Sequence, residues 1–178
     1  MSKFVLEKWY EDLKCTIYSV RQDVDDENCY TEADKFFEKY GQSENIDIKE
    51  AAQLLLQFLV NEICKVHGAK IELFNRNESK AQALPYKVDR ESSKIFELNY
   101  FYKNFPLRLY CYRISDSIIV LFNGGIKSST TAQDSPDISL KFYEAQGYVS
   151  KIENAINAEI ITIEDFQIIS DDDTIILY

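Results

Sequence analysis

FPLRLYCYRISDSIIVLFNGGIK, residues 105–127, decides the fold. It holds two runs rich in aromatic and β-branched residues, 107–114 and 117–123, parted by the polar pair Ser115-Asp116. Such runs suit a pleated, half-buried surface, and so short a break favours an antiparallel hairpin. A third run of the same kind, 95–102, stands just upstream. Residues 95–127 are therefore expected to form a three-stranded antiparallel β-meander, and to carry the function.

With Ser115-Asp116 as a two-residue loop, Ile114 pairs with Ser117, Tyr112 with Ile119, Tyr110 with Leu121 and Arg108 with Asn123. Paired residues share a face. One face then carries Leu107, Leu109, Cys111, Ile118, Val120 and Phe122, and is the expected core face. The other gathers Arg108, Tyr110, Tyr112 and Asn123 beside Ile119 and Leu121, with Lys127 just beyond the strand. A guanidinium can fork onto a phosphate and phenol rings can stack on bases, so this face suits a phosphate-and-base ligand. The competing reading is a half-buried face with Arg108 paired to a carboxylate and the tyrosines packed under a helix. Arg113 falls on the core face at the hairpin end, where it can reach solvent.

Outward from the meander, Trp9, Leu13, Ile17 and Val20 recur at spacings that predict a helix over 6–21. Thr31 can cap a short helix through Tyr40, with Gly41 at its end. Asp47 and Glu50 resemble a capping box for a longer helix over 48–67. The two helices suit a hairpin. Residues 70–74 alternate like a short strand, 75–79 read as a turn, and 81–89 as extended chain around Pro85. Gly124-Gly125 is expected to break the third strand, and 130–137 to form a loop. A helix over 138–157, interrupted near Gly147, then leads to two strands at 159–166 and 174–178. The expected class is α+β: a helical hairpin packed on an antiparallel β-meander, with an N-terminal helix and a C-terminal strand extension. The chain reads as a single domain, 1–178, with extensions at 1–30 and 158–178 around a core at 31–157.

The net charge of −10 disfavours indiscriminate binding to nucleic acid or anionic membrane. Its distribution is uneven. Residues 80–127 hold eight basic side chains (Lys80, Lys87, Arg90, Lys94, Lys103, Arg108, Arg113, Lys127) against four acidic ones (Asp89, Glu91, Glu97, Asp116). The stretches 23–34 and 159–178 hold six carboxylates each and no base. No apolar run approaches the ~20 residues of a membrane span, and residues 1–13 lack a signal-peptide pattern, so the expected location is cytoplasmic with no membrane partner. Cys15, Cys29, Cys64 and Cys111 form no CxxC pair and read as reduced core thiols. His67, the only histidine, is expected near a helix C-terminus or solvent, and Asp171-Asp172-Asp173 as a solvated turn. No metal site and no cofactor are expected, and the common nucleotide-loop, zinc-protease and nucleophile-elbow motifs are absent.

The segment 105–129, FPLRLYCYRISDSIIVLFNGGIKSS, resembles the core of RelE/HigB-like toxins of bacterial type II toxin–antitoxin modules. The shared features are Arg108, the Ser115-Asp116 turn, the apolar strand 118–122, Gly124-Gly125, Lys127, Thr130-Thr131, Pro136 and the helix through Tyr143 and Ile152. LPYK at 84–87 and IFEL at 95–98 are similar to other family segments. The resemblance spans 31–157 and implies a RelE-like core that cleaves mRNA on the ribosome without a metal. It implies Arg108 and Lys127 as phosphate contacts, with Arg113 and Tyr143 as further catalytic candidates and an antitoxin-like protein as partner. Asn99 stands where the family often has Arg, and Ser128 where a second Lys is usual. Two readings follow. One is a metal-independent endoribonuclease acting on RNA; the other is a non-catalytic protein-interaction domain on the same scaffold, of the kind found among phage or mobile-element accessory proteins.

Overall fold

The computed structural model describes residues 2–88, 100–127 and 136–178. The expected strand at 95–102 and loop at 130–137 fall largely outside these, and Tyr100, Phe101 and Tyr102 lie outside any strand. The architecture is α+β. Strands β1 (Phe4–Glu11), β2 (Thr16–Arg21), β3 (Asn77–Glu78), β4 (Ala81–Leu84), β5 (Leu107–Ser115) and β6 (Ile118–Ile126) join a C-terminal strand to make one sheet. That last strand, β9 (Ile175–Leu177), follows a separate small hairpin of β7 (Thr162–Glu164) and β8 (Gln167–Ile169). The main sheet runs β3-β4-β5-β6-β2-β1-β9, antiparallel except where β2 lies parallel to β6.

Helices cover both faces. α1 (Glu32–Gly41) and α2 (Ile46–Gln57), the latter continued by a π-helical segment (Phe58–His67), pack on one side against Ile17, Leu107, Leu109, Cys111, Ile119 and Leu121. On the other side α3 (Pro136–Asn157) lays Phe142, Ala145, Tyr148, Val149 and Ile152 over Tyr18, Val20, Tyr110, Ile118, Val120 and Phe122. A sheet buried on both faces loses the alternation of apolar and polar residues that a one-sided sheet shows. No helix among the described residues is long and apolar enough to cross a membrane.

Several expectations are corrected. The helix expected over 6–21 is the β1–β2 hairpin. β2 is buried along its whole length, so its apolar residues carry no period of two, and Leu13, which completed the apparent helical spacing, is 78% exposed at the turn. Asp12 shapes that turn by accepting from the Leu13 N–H at 2.8 Å. The second correction concerns register. The turn is Asp116-Ser117, with Ser115 opposite Ile118, Arg113 opposite Ile119 and Cys111 opposite Leu121. Moving a two-residue turn by one position keeps the faces as expected; the bulge between Arg113 and Ser115 adds one residue to β5 and exchanges the faces of β6. Ile119 and Leu121 therefore join Leu109 and Cys111 under α2, whereas Ile118, Val120 and Phe122 join Tyr110 under α3. A bulge between Leu109 and Cys111 shifts the pairing again, bringing Arg108 opposite Gly125. Third, β6 runs through Gly124-Gly125 to Ile126, and α3 runs without a break past Gly147. Fourth, residues 71–74 form a turn of 3₁₀ helix in place of a strand, and 159–166 gives way to the β7–β8 hairpin, whose turn holds Asp165 at φ 48°.

The α1 start is as its sequence predicts. Thr31 Oγ1 accepts from the Asp34 N–H at 3.1 Å, and Asp34 Oδ2 accepts from the Thr31 N–H at 3.0 Å. For α2 the cap is Asn45, whose side chain accepts from Asp47 and Ile48, and not Asp47 itself. Thr31→Ala removes the side-chain half of the α1 box and leaves the backbone N–H to Asp34, and should lower stability by about 1 kcal/mol, the middle of the range for cap substitutions. A urea unfolding midpoint measures it; a change under about 0.5 kcal/mol would show that the box contributes nothing net.

Candidate functional site

At the end of the β5–β6 ladder away from the 116–117 turn, four stretches of chain meet. Residues 85–88 follow β4, residues 102–105 lead into β5, Arg108 opens β5 and Lys127 ends β6. The ladder itself sets the last two: Leu107 pairs with Ile126, and the Lys127 N–H donates to the Pro106 carbonyl at 2.8 Å. The turn before β3 clips the 85–88 stretch in place. Arg76 Nε donates to the Pro85 carbonyl at 3.0 Å, and the Lys87 N–H donates to Asn75 Oδ1 at 2.7 Å.

These stretches enclose a cavity of about 270 Å³. Five cationic side chains line it: Arg76, Lys87, Lys103, Arg108 and Lys127. Among the described lining residues none is acidic. Five cationic side chains thus share one small space in a chain whose net charge is −10. Arg108 is only 3% exposed, and its guanidinium is fixed in orientation: Nη1 donates to the Phe105 and Leu107 carbonyls at 2.9 and 2.8 Å. Fixing a guanidinium beforehand lessens the side-chain entropy lost when it meets an anion. The aromatic wall is layered. Tyr86 and Phe105 are buried in a cluster with Phe58 and Phe101, whereas Tyr102 is 47% exposed at the rim with its ring 5.2 Å from that of Phe105.

Of the residues singled out in the sequence, Arg108 and Lys127 come together here. Arg113 does not join them. It lies five residues along β5, about 17 Å at strand rise, where Nε donates to the Ala69 carbonyl at 2.6 Å and Nη2 meets Asp116. There Lys70, and with it Arg113, hold the Asp116 carboxyl below the usual range. Tyr143 is 66% exposed on α3 beside Phe142 and is not among the residues that line the cavity. Tyr110 is fully buried against Phe142, and Tyr112 reaches Glu153 with its hydroxyl at 3.5 Å, so both tyrosines pack under α3 as the competing reading had it. Asn123 points to the other side, donating to Glu32 Oε2 at 3.1 Å and tying β6 to the first turn of α1. The face drawn from the sequence, with Arg108, Tyr110, Tyr112 and Asn123 together, is thus divided between two layers.

Arg76, Lys87, Lys103 and Tyr102 were missed as a group. The basic excess over 80–127 was the available signal, but nothing local shows that Arg76 and Lys103 meet across the head of a strand.

The remaining titratable groups are accounted for by packing. His67 Nε2 lies 3.1 Å from Glu62, a pair five residues apart that a π-helix brings onto one face and an α-helix would separate. Tyr100 donates to the other oxygen of Glu62 at 3.2 Å. A hydrogen bond with Cys15, then burial, pushes the Cys64 thiol up, and burial alone raises Cys111, so neither offers a thiolate near neutral pH. No grouping of metal-ligating side chains exists among the described residues.

No family model, no curated protein and no solved structure matches this chain.

Proposed function

We propose that this chain is a binding protein for a phosphate-bearing ligand, held in the cavity between residues 85–88, 102–105, Arg108 and Lys127. The observation that carries the reading is the set of five cationic side chains around one cavity of about 270 Å³ in a chain whose net charge is −10. Folding tends to disperse like charge, and a pocket that gathers it suits an anion. Arginine and lysine supply the forked and point-charge contacts that phosphate oxygens accept.

Binding is favoured over cleavage by the acid–base groups at hand. Cleaving RNA through its 2′-hydroxyl calls for a group to take that proton and another to protonate the leaving oxygen. The lining phenols are Tyr86 and Tyr102, and burial, followed by nearby carboxylates, raises both above their usual value. A phenol shifted that way is a poorer base at neutral pH. The second reading, a toxin-like endoribonuclease, draws its support from Arg108 and Lys127 lining one cavity.

Calorimetric titration of the full chain with pyrophosphate should give saturable binding, weakened about tenfold or more by Lys127→Ala, as expected for losing one charge-assisted contact. Absence of saturable binding would refute the proposal. A single-stranded RNA incubated with the same protein should remain intact; cleavage abolished by Lys127→Ala would replace it with the endoribonuclease reading.

A further inference from the structure

The cavity is larger than a phosphate ion needs, yet it lies at the small end of ligand pockets, which run from about 300 to 1,000 Å³. One of its walls remains unassigned by charge. Tyr102 presents a half-exposed ring at the rim, next to Lys103 in sequence and braced by the buried ring of Phe105. Asn104, at φ 59°, turns the backbone sharply between the two. The ring is therefore held at a tilt against Phe105 and about half-exposed, beside a cluster of cations.

The ground beyond Tyr102 has the opposite sign. Asp47 and Glu50, in the opening turns of α2, lie near enough that their charges help raise the Tyr102 phenol, after burial. Glu62 stands behind Tyr86 and Tyr100 in the same way. Charges within about 8 Å are felt at physiological salt. Negative charge near Tyr102 disfavours further phosphates there more than it disfavours a neutral ring.

From this juxtaposition we infer that the ligand is a mononucleotide, its phosphate among Arg76, Arg108 and Lys127 and its base stacked on Tyr102. The inference rests on the phosphate-binding reading and adds the ligand's second half. Tyr102 is a specificity-determining residue in this account.

The test compares the four nucleoside 5′-monophosphates, ribose 5-phosphate and a decameric oligoadenylate by calorimetry on the full chain at 150 mM salt. The best nucleotide should bind about tenfold tighter than ribose 5-phosphate, within the range that a base–aromatic stack supplies. In Tyr102→Ala that ratio should fall to about one, and Tyr102→Phe, which keeps the ring, should restore it. A ratio near one in the unaltered protein, or an unchanged ratio in Tyr102→Ala, overturns the inference. So does an oligoadenylate that binds more than tenfold tighter than its monomer. If neither ribose 5-phosphate nor any nucleotide binds, the phosphate pocket itself is refuted, an outcome distinct from binding without preference for a base.

Discussion

Gly124→Ala should be the most destabilising single substitution considered for this chain. A Cβ at this position would lie 1.8 Å from the Arg108 carbonyl oxygen, 2.8 Å from its carbon and 2.9 Å from Leu109 Cα. All three neighbours are backbone, so no side-chain rotation relieves the overlap. Relief requires β5 and β6 to part by more than 1 Å where Leu109 pairs with Gly124 and Arg108 with Gly125. Both strands are sealed under helices there, so parting them breaks the core on both sides. A loss above about 4 kcal/mol, at the far end of what single substitutions do, is expected, out of roughly 5–15 kcal/mol in a typical domain. Far-ultraviolet circular dichroism during urea unfolding checks it. Gly41→Ala is the control: a Cβ there meets nothing within 4 Å, and alanine in a helix is favoured by up to ~1 kcal/mol. A Gly124→Ala protein within about 1 kcal/mol of the parent would mean that the two strands approach less closely than described.

The second large effect is on binding. Lys103→Glu with Lys127→Glu should abolish affinity for pyrophosphate, by about a hundredfold at least. Each lysine lost removes a charge-assisted contact of about 1.5–3 kcal/mol, and each glutamate adds a repulsion of about 3 kcal/mol at ~6 Å and an effective dielectric of 20. Flexibility and water will reduce these values, but the two sites act in the same direction. Folding should survive, since Lys103 is exposed, Lys127 is half-exposed, and the backbone bond from the Lys127 N–H to Pro106 does not depend on the side chain. Parent affinity should also fall as sodium chloride rises from about 0.05 to 0.5 M, because screening shortens the reach of the cavity's field. A charge-reversed protein that binds within threefold of the parent would remove the cavity from the account.

Much of the fold was legible where local chemistry decides it. Thr31 and Asp34 announce α1, the aromatic and β-branched runs announce β5 and β6, and the helical stretch around Ile152 announces α3. What was hidden depends on burial that a single strand cannot reveal. β2 has lost its alternation because helices cover both faces, and the exposed Leu13 supplied a false period. The hairpin turn lies one residue on, since Ser115-Asp116 and Asp116-Ser117 are equally polar, and the bulge between Arg113 and Ser115, which no local signal announces, is what puts Ile118 and Val120 on the other face. Tyr110 and Tyr112 read as a ligand surface because a phenol is both apolar body and polar tip, and α3 uses the body. For the site, Arg108 and Lys127 were visible along one hairpin. Arg76, Lys87 and Lys103 reach the cavity from separate segments, and their meeting is a property of the whole sheet.

The parallel pairing of β2 with β6 has a consequence in time. Ser19 Oγ donates to the Leu121 carbonyl at 2.9 Å across a sequence separation of 102, and Thr16 to Ser19 take their ladder partners from Ile118 to Leu121. A ribosome adding about 5–20 residues per second makes those partners some 5–20 s after β2. Through that interval β2 has the local β1 hairpin on one edge and α1 and α2 for one face, while its other edge and the face that α3 covers wait for later chain. The hairpin is thus a holding structure during synthesis before it is an inner part of the sheet, and the slow, long-range closure of β2 on β6 is the step at which a nascent chain is most exposed to pairing with another copy of itself.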